Sequence, residues 1–190
     1  MNLPNFLTII RIALVPVFIV FFYLGQRGLY IYSILAFAVF VAASATDAVD
    51  GHIARKRNLI TNFGKLMDPL ADKVLTTAAF IVFVDVGIMP AWMVIVILAR
   101  EFAITGLRGV AASEGVVIAA GLSGKLKTVF QMVAICVILF AGAIGHIDGT
   151  YSVWTFFGAA GTVLIWIAVI LTVYSGIEYL WKGRKILKLK

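Results

Sequence analysis

The chain alternates long apolar runs with short polar connections. Six runs reach or approach the roughly 20 apolar residues that a helix needs to cross a bilayer. They are Leu7–Leu24, Tyr30–Ala48, Leu70–Gly87, Pro90–Leu107, Lys127–Ile144 and Val153–Leu180. The pattern predicts an all-α, polytopic integral membrane protein with six transmembrane helices, forming a single membrane domain over residues 1–190.

The residues before the first run have a pattern of their own. Asn2 and Asn5 are of the type found at helix caps, and Pro4 suits a first helical turn. This pattern favours a short N-terminal interfacial helix that lies on the membrane before the first span.

Composition supports the bilayer as the solvent. The chain is 63% hydrophobic and only 13% charged, with a mean hydropathy of +1.07, whereas soluble domains carry about 25% charged residues. The length leaves no room for a separate soluble domain. A single cysteine, Cys136, excludes an internal disulfide and a cysteine-based metal site.

The basic residues predict the orientation. If the six runs are spans, fifteen of the 16 Lys and Arg residues fall on one side of the membrane and Arg27 alone falls on the other. Because positive charge is retained in the cytoplasm, both termini are expected to be cytoplasmic. The net charge of +7 therefore forms a cytoplasmic rim that attracts anionic lipid. No soluble basic domain remains for nucleic acid.

Four of the nine acidic residues lie between positions 47 and 72. Asp47 and Asp50 end the second run. At about 100° per residue, Asp50, Gly51, Ala54 and Arg55 lie at about −60°, +40°, −20° and +80° from Asp47. Two carboxylates, two small residues and one guanidinium therefore share one helix face.

The third helix repeats this pattern. Gly64, Asp68 and Asp72 follow one another at intervals of four residues and form one stripe. Pro69 predicts that the regular helix starts near Leu66–Asp68, where a missing N–H costs nothing. Since the loop before it is short, the second and third helices are expected to run antiparallel, with all four carboxylates converging near the cytoplasmic surface.

A cluster of four carboxylates needs a counter-charge. Without one their mutual repulsion would neutralise some of them, and all-oxygen ligands suit Mg²⁺ or Mn²⁺. Alternatively, Asp47 and Asp50 pair with Arg55 and Lys73, although such pairing leaves the interleaved Gly and Ala unexplained.

The combined pattern resembles the signature of the CDP-alcohol phosphatidyltransferases. It consists of Asp47-x-x-Asp50-Gly51-x-x-Ala54-Arg55, eight residues, and then Gly64-x-x-x-Asp68-x-x-x-Asp72. The resemblance implies a homodimeric, six-helix membrane enzyme that transfers a phosphatidyl or similar group from a CDP-linked donor to an alcohol and releases CMP.

The resemblance also implies roles for individual residues. Asp47, Asp50, Asp68 and Asp72 would hold two divalent cations, Mg²⁺ or Mn²⁺, with Asp72 also acting as general base. The CDP-lipid would be bound by residues of the same two helices and their connection: Gly51, Ala54, Arg55, Thr61 and Gly64.

The fourth and fifth runs bear on the acceptor alcohol. Arg100, Arg108 and Lys125 place cations at the same cytoplasmic surface, as a phosphorylated acceptor requires and a neutral one does not. A structural pair between Glu101 and Arg108 is the alternative for Arg108. Resemblance over nearly the whole chain implies CDP-diacylglycerol as donor and sn-glycerol 3-phosphate as acceptor. The products are phosphatidylglycerophosphate and CMP, formed at the cytoplasmic face of a bacterial cell membrane.

Two rival functions stay open on the sequence. Within the family, a cardiolipin synthase would use phosphatidylglycerol as its acceptor. Outside the enzymes, a divalent-cation transporter would need polar residues deep in several spans. Here the carboxylates crowd at one surface and the opposite half is almost purely apolar, which disfavours an ion path.

Overall fold

The molecule, a computed structural model, is described for the backbone of residues 3–56, 62–113, 115, 121–145 and 151–183. Side chains are described over 8–46, 71, 73–113, 115, 121–145 and 155–181. These residues form six α-helices and no strand, which confirms the all-α prediction. The helices are α1 (Leu3–Gln26), α2 (Tyr30–Lys56), α3 (Asn62–Asp85), α4 (Ala91–Ser113), α5 (Leu122–Ile144) and α6 (Tyr151–Gly183).

The N-terminal segment is part of the first helix. α1 runs without a break from Leu3 to Gln26, so the prediction of a separate interfacial helix is wrong. Pro4 lies in the first turn, where its missing N–H has no intrahelical partner to lose. Pro16 lies inside α1. Helices in a bilayer continue through such positions because no water is present there to bond the backbone groups that a break would leave unpaired.

The third helix begins earlier than the sequence predicts. α3 starts at Asn62 rather than near Leu66–Asp68, so Pro69 lies within it. A proline inside a helix costs about 3 kcal/mol. The prediction assumed that the helix would start beside the proline and so avoid this cost. The turns before Pro69 are helical nevertheless, because helical hydrogen bonds satisfy their backbone N–H and C=O groups. The acidic stripe is thereby carried on one continuous helix.

An aromatic cluster packs the first three helices together. Phe18 of α1 lies 5.7 Å from Phe40 of α2, and Phe22 of α1 lies 6.0 Å from Phe83 of α3, measured between ring centroids. All four side chains are buried. Tilted aromatic pairs at this separation add to the stabilisation from burial. The cluster fixes α2 and α3, which carry the four aspartates, against a common partner.

The second half of the bundle is built on α5 and α6, which share the most extensive interface of the molecule. Gly161 of α6 packs directly on Ile138 of α5, where any larger side chain would overlap it. Small residues allow this close approach between membrane helices. Gln131 donates a hydrogen bond to Thr172 across the same interface (3.4 Å), so it links the two helices.

Two tight turns reverse the chain at the end of the bundle away from the aspartates. Gly28 and Gly87 have φ values of 88° and 77°, in the left-handed region that favours glycine. After α3, the N–H of Ile88 bonds the carbonyl of Phe83 (2.8 Å), as in a Schellman helix end. These turns make α1–α2 and α3–α4 antiparallel neighbours.

Within the described residues, three helices are long and apolar enough to cross a membrane. The stretches are Thr8–Gln26, Leu122–Ile144 and Thr155–Trp181, and α2 contributes the shorter apolar stretch Tyr30–Thr46. α4 carries three charged residues, Arg100, Glu101 and Arg108, yet it exposes Ile95 and Phe102 on its outside. The chain is a membrane protein. The full set of six spans stays a prediction.

Candidate functional site

The aspartates lie on the two helices that the sequence predicted. Asp47 and Asp50 occupy backbone positions in the last turns of α2, and Asp68 and Asp72 lie in the first half of α3. α2 and α3 contact each other. The side chains of all four lie outside the described residues, so their convergence stays a prediction.

The predicted donor-binding residues share this region. Gly51, Ala54 and Arg55 are on α2 and Gly64 is on α3. Their side-chain positions lie outside the described residues, as does the whole of Thr61. The roles predicted for these five residues are therefore untested by the structure.

The chemistry of the aspartate region fits divalent cations. Carboxylates are the ligands that Mg²⁺ and Mn²⁺ prefer, and two come from each of two contacting helices. Ala71, between Asp68 and Asp72 in sequence, is completely buried, so this turn of α3 packs inside the bundle. Among the described side chains no other group of three or more His, Cys, Asp or Glu residues could hold a metal.

The three predicted acceptor-binding cations line one cavity. Arg100, Arg108 and Lys125 surround a space of about 430 Å³ between α4, α5 and α6. Its remaining lining residues come from the same three helices and the start of α5: Glu101, Ile104, Gly121, Gly124, Lys127, Thr128, Val129 and Tyr179. We call this space the cationic cavity. The structure thus brings together three cations that lie up to 25 positions apart in the chain, with Tyr179 beside them.

The N-terminus of α5 opens onto the cationic cavity. Gly121 is the N-cap residue and offers no side-chain hydrogen bond to the first turn. The first N–H groups of a helix have no intrahelical partner and carry a partial positive charge. An anion in the cavity can therefore accept hydrogen bonds from this turn as well as from Lys125.

A partly buried ion cluster joins the cavity to the helix that carries Asp68 and Asp72. Glu101 of α4 forms an ion pair with Lys127 of α5, and its carboxylate also lies 3.4 Å from Arg100 Nη1 and 3.9 Å from Lys73 Nζ. Lys73 Nζ also donates a 2.5 Å hydrogen bond to Thr105 Oγ1. Since Lys73 directly follows Asp72, this cluster ties the acidic stretch of α3 to the wall of the cavity.

This cluster corrects one expectation. The sequence offered Arg108 as a partner for Glu101, seven residues away on the same helix. Among the described residues Glu101 pairs instead with Lys127, Lys73 and Arg100, and no ion pair joins it to Arg108. Glu101 pairs with Lys127 rather than Arg108 because the side chain of Lys127 is only 3% exposed, and a buried cation needs a counter-charge.

Sequence reasoning missed several polar residues at this end of the bundle. Arg11, which the sequence analysis counted only as one of the basic residues, is 1% exposed. Thr8, one turn before it on α1, is equally buried. Tyr179, near the end of α6, lines the cationic cavity. A signal existed for Arg11, because a charge four residues into an apolar run is costly and marks function by default.

The opposite end of the bundle has different chemistry. A larger cavity of about 560 Å³ lies there, bordered by Phe22, Gly87, Leu139 and Gly158 among others, and no charged residue is among the described residues that line it. Tyr23 donates a hydrogen bond to Asp85 nearby (2.8 Å). Of these two cavities, only the smaller one has charged residues among its described lining.

Comparison with known proteins identifies the family. The sequence profile of the CDP-alcohol phosphatidyltransferases matches residues 1–174. A CDP-diacylglycerol–glycerol-3-phosphate 3-phosphatidyltransferase of Bacillus subtilis is 43% identical, over 98% of this chain and 97% of its own length. One from Rickettsia bellii is 39% identical over 94% and 93%. A probable phosphatidylglycerophosphate synthase of Mycobacterium tuberculosis is 36% identical over 94% and 79%. The chain belongs to the CDP-alcohol phosphatidyltransferase family.

Proposed function

We propose that this protein transfers the phosphatidyl group of CDP-diacylglycerol to sn-glycerol 3-phosphate, giving phosphatidylglycerophosphate and CMP. The observation that carries the proposal is the cationic cavity, where Arg100, Arg108 and Lys125 meet. The relatives named above, two of which carry this activity in their names, support the same pair of substrates.

The acceptor's phosphate accounts for the chemistry of the cavity. Guanidinium groups bind phosphate through paired, charge-assisted hydrogen bonds. A neutral alcohol such as inositol would leave Arg108 and Lys125 without an ion-pair partner among the described residues, whereas Arg100 has Glu101 beside it. The first turn of α5, whose N-cap residue Gly121 has no side chain to bond it, adds backbone donors. A phosphate held here would direct the other end of glycerol 3-phosphate towards α3, because Glu101 contacts both Lys127 of the cavity wall and Lys73 beside Asp72.

The donor is proposed to bind on the acidic faces of α2 and α3. Asp47, Asp50, Asp68 and Asp72 would hold two divalent cations, Mg²⁺ or Mn²⁺. Bound there, the ions would neutralise the diphosphate and stabilise the attacking and leaving oxygens. Gly51, Ala54 and Gly64 leave room for the nucleotide to approach the helix backbone. Arg55 and Thr61 are expected to contact the donor.

The transfer itself exchanges one P–O bond for another. The acceptor hydroxyl oxygen attacks the phosphorus that carries the diacylglycerol, and the bond from this phosphorus to the CMP oxygen breaks. Asp72 takes the hydroxyl proton as general base, which requires hydrogen-bond reach to the bound acceptor. CMP leaves with the bonding electron pair, and the phosphatidyl group remains on the acceptor.

The proposed setting is the plasma membrane of a bacterium, with the active site facing the cytoplasm. The distribution of Lys and Arg supports this orientation, and the relatives are bacterial. A homodimer is proposed from the family resemblance, and the mass of the purified protein–detergent complex tests it.

The test is an acceptor panel. Purified protein is given CDP-diacylglycerol with glycerol 3-phosphate, phosphatidylglycerol, serine or inositol phosphate, and CMP release is followed. We expect release with glycerol 3-phosphate. Release with phosphatidylglycerol alone would identify a cardiolipin synthase instead. Absence of CMP with every acceptor, from folded protein supplied with Mg²⁺ or Mn²⁺, would refute the assignment.

A further inference from the structure

Arg100 lies between two glycines from different helices. A Cβ atom on Gly124 of α5 would lie 3.3 Å from Arg100 Nη2, and one on Gly176 of α6 would lie 3.2 Å from Arg100 Cγ. Both distances are shorter than ordinary side-chain contacts. α5 and α6 therefore pass the Arg100 side chain at a distance that only glycine permits without a shift.

The guanidinium of Arg100 is fixed but not fully satisfied. Its side chain is only 11% exposed, and Nη1 lies 3.4 Å from a Glu101 carboxylate oxygen. Nε is buried and has no hydrogen-bond partner among the described atoms. A buried donor without an acceptor is costly. Because Arg100 lines the cationic cavity, an anionic oxygen in that cavity can accept a hydrogen bond from the terminal nitrogens of its guanidinium.

We infer that Gly124 and Gly176 are positioning residues for the acceptor. They set the place of the Arg100 guanidinium, and through it the place of the acceptor phosphate. The inference rests on the proposed function, since it takes the phosphorylated acceptor to be the ligand of Arg100. Gly124 also lines the cationic cavity, whereas Gly176 is not among the described residues that line it. Both glycines position Arg100 because they lack a side chain.

Alanine at these positions separates positioning from stability. Gly124 and Gly176 lie within helices, where alanine is favoured over glycine, so Gly124→Ala and Gly176→Ala are not expected to unfold the protein. The added methyl group displaces Arg100 by a few tenths of an ångström. Small misplacements of a binding group weaken substrate positioning, so the loss falls on the acceptor.

Two matched controls exist in the same helices. Gly142 of α5 and Gly158 of α6 have no atom within 4 Å of a Cβ added there. For all four Gly→Ala variants, the KM for glycerol 3-phosphate, the KM for CDP-diacylglycerol and the melting temperature in detergent are measured. We expect Gly124→Ala and Gly176→Ala to raise the acceptor KM by roughly three- to tenfold with the donor KM unchanged. Gly142→Ala and Gly158→Ala leave both constants as in the wild type.

A double-mutant cycle tests whether the effect passes through Arg100. Arg100→Lys removes the planar guanidinium that faces Gly124 and keeps the Cγ atom that faces Gly176. If Gly124 acts through the guanidinium of Arg100, adding Gly124→Ala to Arg100→Lys raises the acceptor KM much less than Gly124→Ala does alone. Equal effects in the two backgrounds would overturn the inference.

The other outcomes are also decisive. An acceptor KM in Gly124→Ala and Gly176→Ala that matches the controls would overturn the positioning role while the proposed function stands. A parallel rise in both KM values, or a melting temperature well below that of the controls, would show a general structural role and would also overturn it. A wild-type protein that releases no CMP with glycerol 3-phosphate would remove the proposed function and this inference together.

Discussion

Asp68 and Asp72 share α3 with Asp85 but differ from it in position. Asp85 ends the helix at the far side of the bundle and accepts a hydrogen bond from Tyr23. Asp68 and Asp72 lie in the first half, beside the buried Ala71. We expect Asp68→Asn and Asp72→Asn each to lower kcat by at least roughly 10²-fold, the smallest factor typical of general-base catalysis. The amide keeps the size of the carboxyl group but loses its charge and basicity.

Asp85→Asn is the matched control, because it makes the same chemical change on the same helix. Binding of Mn²⁺, followed by electron paramagnetic resonance, provides a readout independent of turnover. Asp68→Asn should weaken Mn²⁺ binding, whereas Asp85→Asn should not. Near-wild-type turnover in Asp68→Asn or Asp72→Asn would discard the assignment of these residues to the metal site.

Lys125 is the most accessible test of the cationic cavity. It lies in the first turn of α5, is exposed, and lines the cavity with Arg100 and Arg108. Lys125→Ala removes one cation from the acceptor phosphate, so the KM for glycerol 3-phosphate should rise roughly tenfold while that for CDP-diacylglycerol changes little. Steady-state kinetics with each substrate varied in turn measures both constants. An unchanged acceptor KM would remove Lys125 from the site.

At the scale of helices, Glu101 joins three elements. Its carboxylate faces Lys127 of α5 and Lys73 of α3, as well as Arg100 of its own helix. Removing one partner of a buried ion pair costs about 3–5 kcal/mol, whereas replacing both partners costs much less. Glu101→Gln should therefore lower the melting temperature in detergent more than the combination of Glu101→Gln with Lys127→Gln.

Thermal unfolding of the two variants and the wild type in detergent tests this order of melting temperatures. A double variant at least as unstable as Glu101→Gln alone would show that Glu101 and Lys127 are not energetically coupled. Ser113→Ala, at the exposed end of α4, is a control expected to leave the melting temperature near that of the wild type.

The helices themselves could be predicted because bilayer length and apolar content define them. Periodicity also placed Asp47 with Asp50 on one helix and Asp68 with Asp72 on the next. The starts of α1 and α3 could not be found, because Pro4 and Pro69 signal a boundary in sequence while the surrounding backbone stays helical.

Partners across helices were beyond the sequence for a different reason. Spacing along one helix suggested Arg108 for Glu101, but the partner is Lys127, which lies 26 residues away on another helix. The burial of Arg11 and the position of Tyr179 in the cavity wall also depend on how α1 and α6 pack. The sequence could predict that the acceptor site contains cations, because a phosphate requires them. The arrangement of these cations around the cavity depends on how the helices pack.

At the scale of the whole molecule, the ion cluster and the cationic cavity lie at one end of the bundle. The described residues place them among α4 from Arg100 onwards, the start of α5 and the end of α6, with Lys73 of α3 beside them. The turn that contains Arg27 lies at the other end, after α1. Orientation in the membrane therefore decides which compartment supplies the acceptor.

Single-cysteine labelling tests the orientation. In a Cys136→Ala background, Arg27→Cys and Ser113→Cys place exposed thiols at the two ends of the bundle. A membrane-impermeant maleimide applied to intact bacterial spheroplasts should label Arg27→Cys directly and Ser113→Cys only after permeabilisation. The reverse pattern would put the cationic cavity outside the cell and contradict the cytoplasmic orientation.

The most direct measurement is CMP release by the purified protein from CDP-diacylglycerol and glycerol 3-phosphate, before and after chelation of divalent cations. If the acidic faces of two adjacent helices hold divalent ions, CMP release stops on chelation and returns when Mg²⁺ or Mn²⁺ is restored. It requires glycerol 3-phosphate throughout. Release that continues at the full rate in excess chelator, or in the absence of acceptor, would contradict that arrangement.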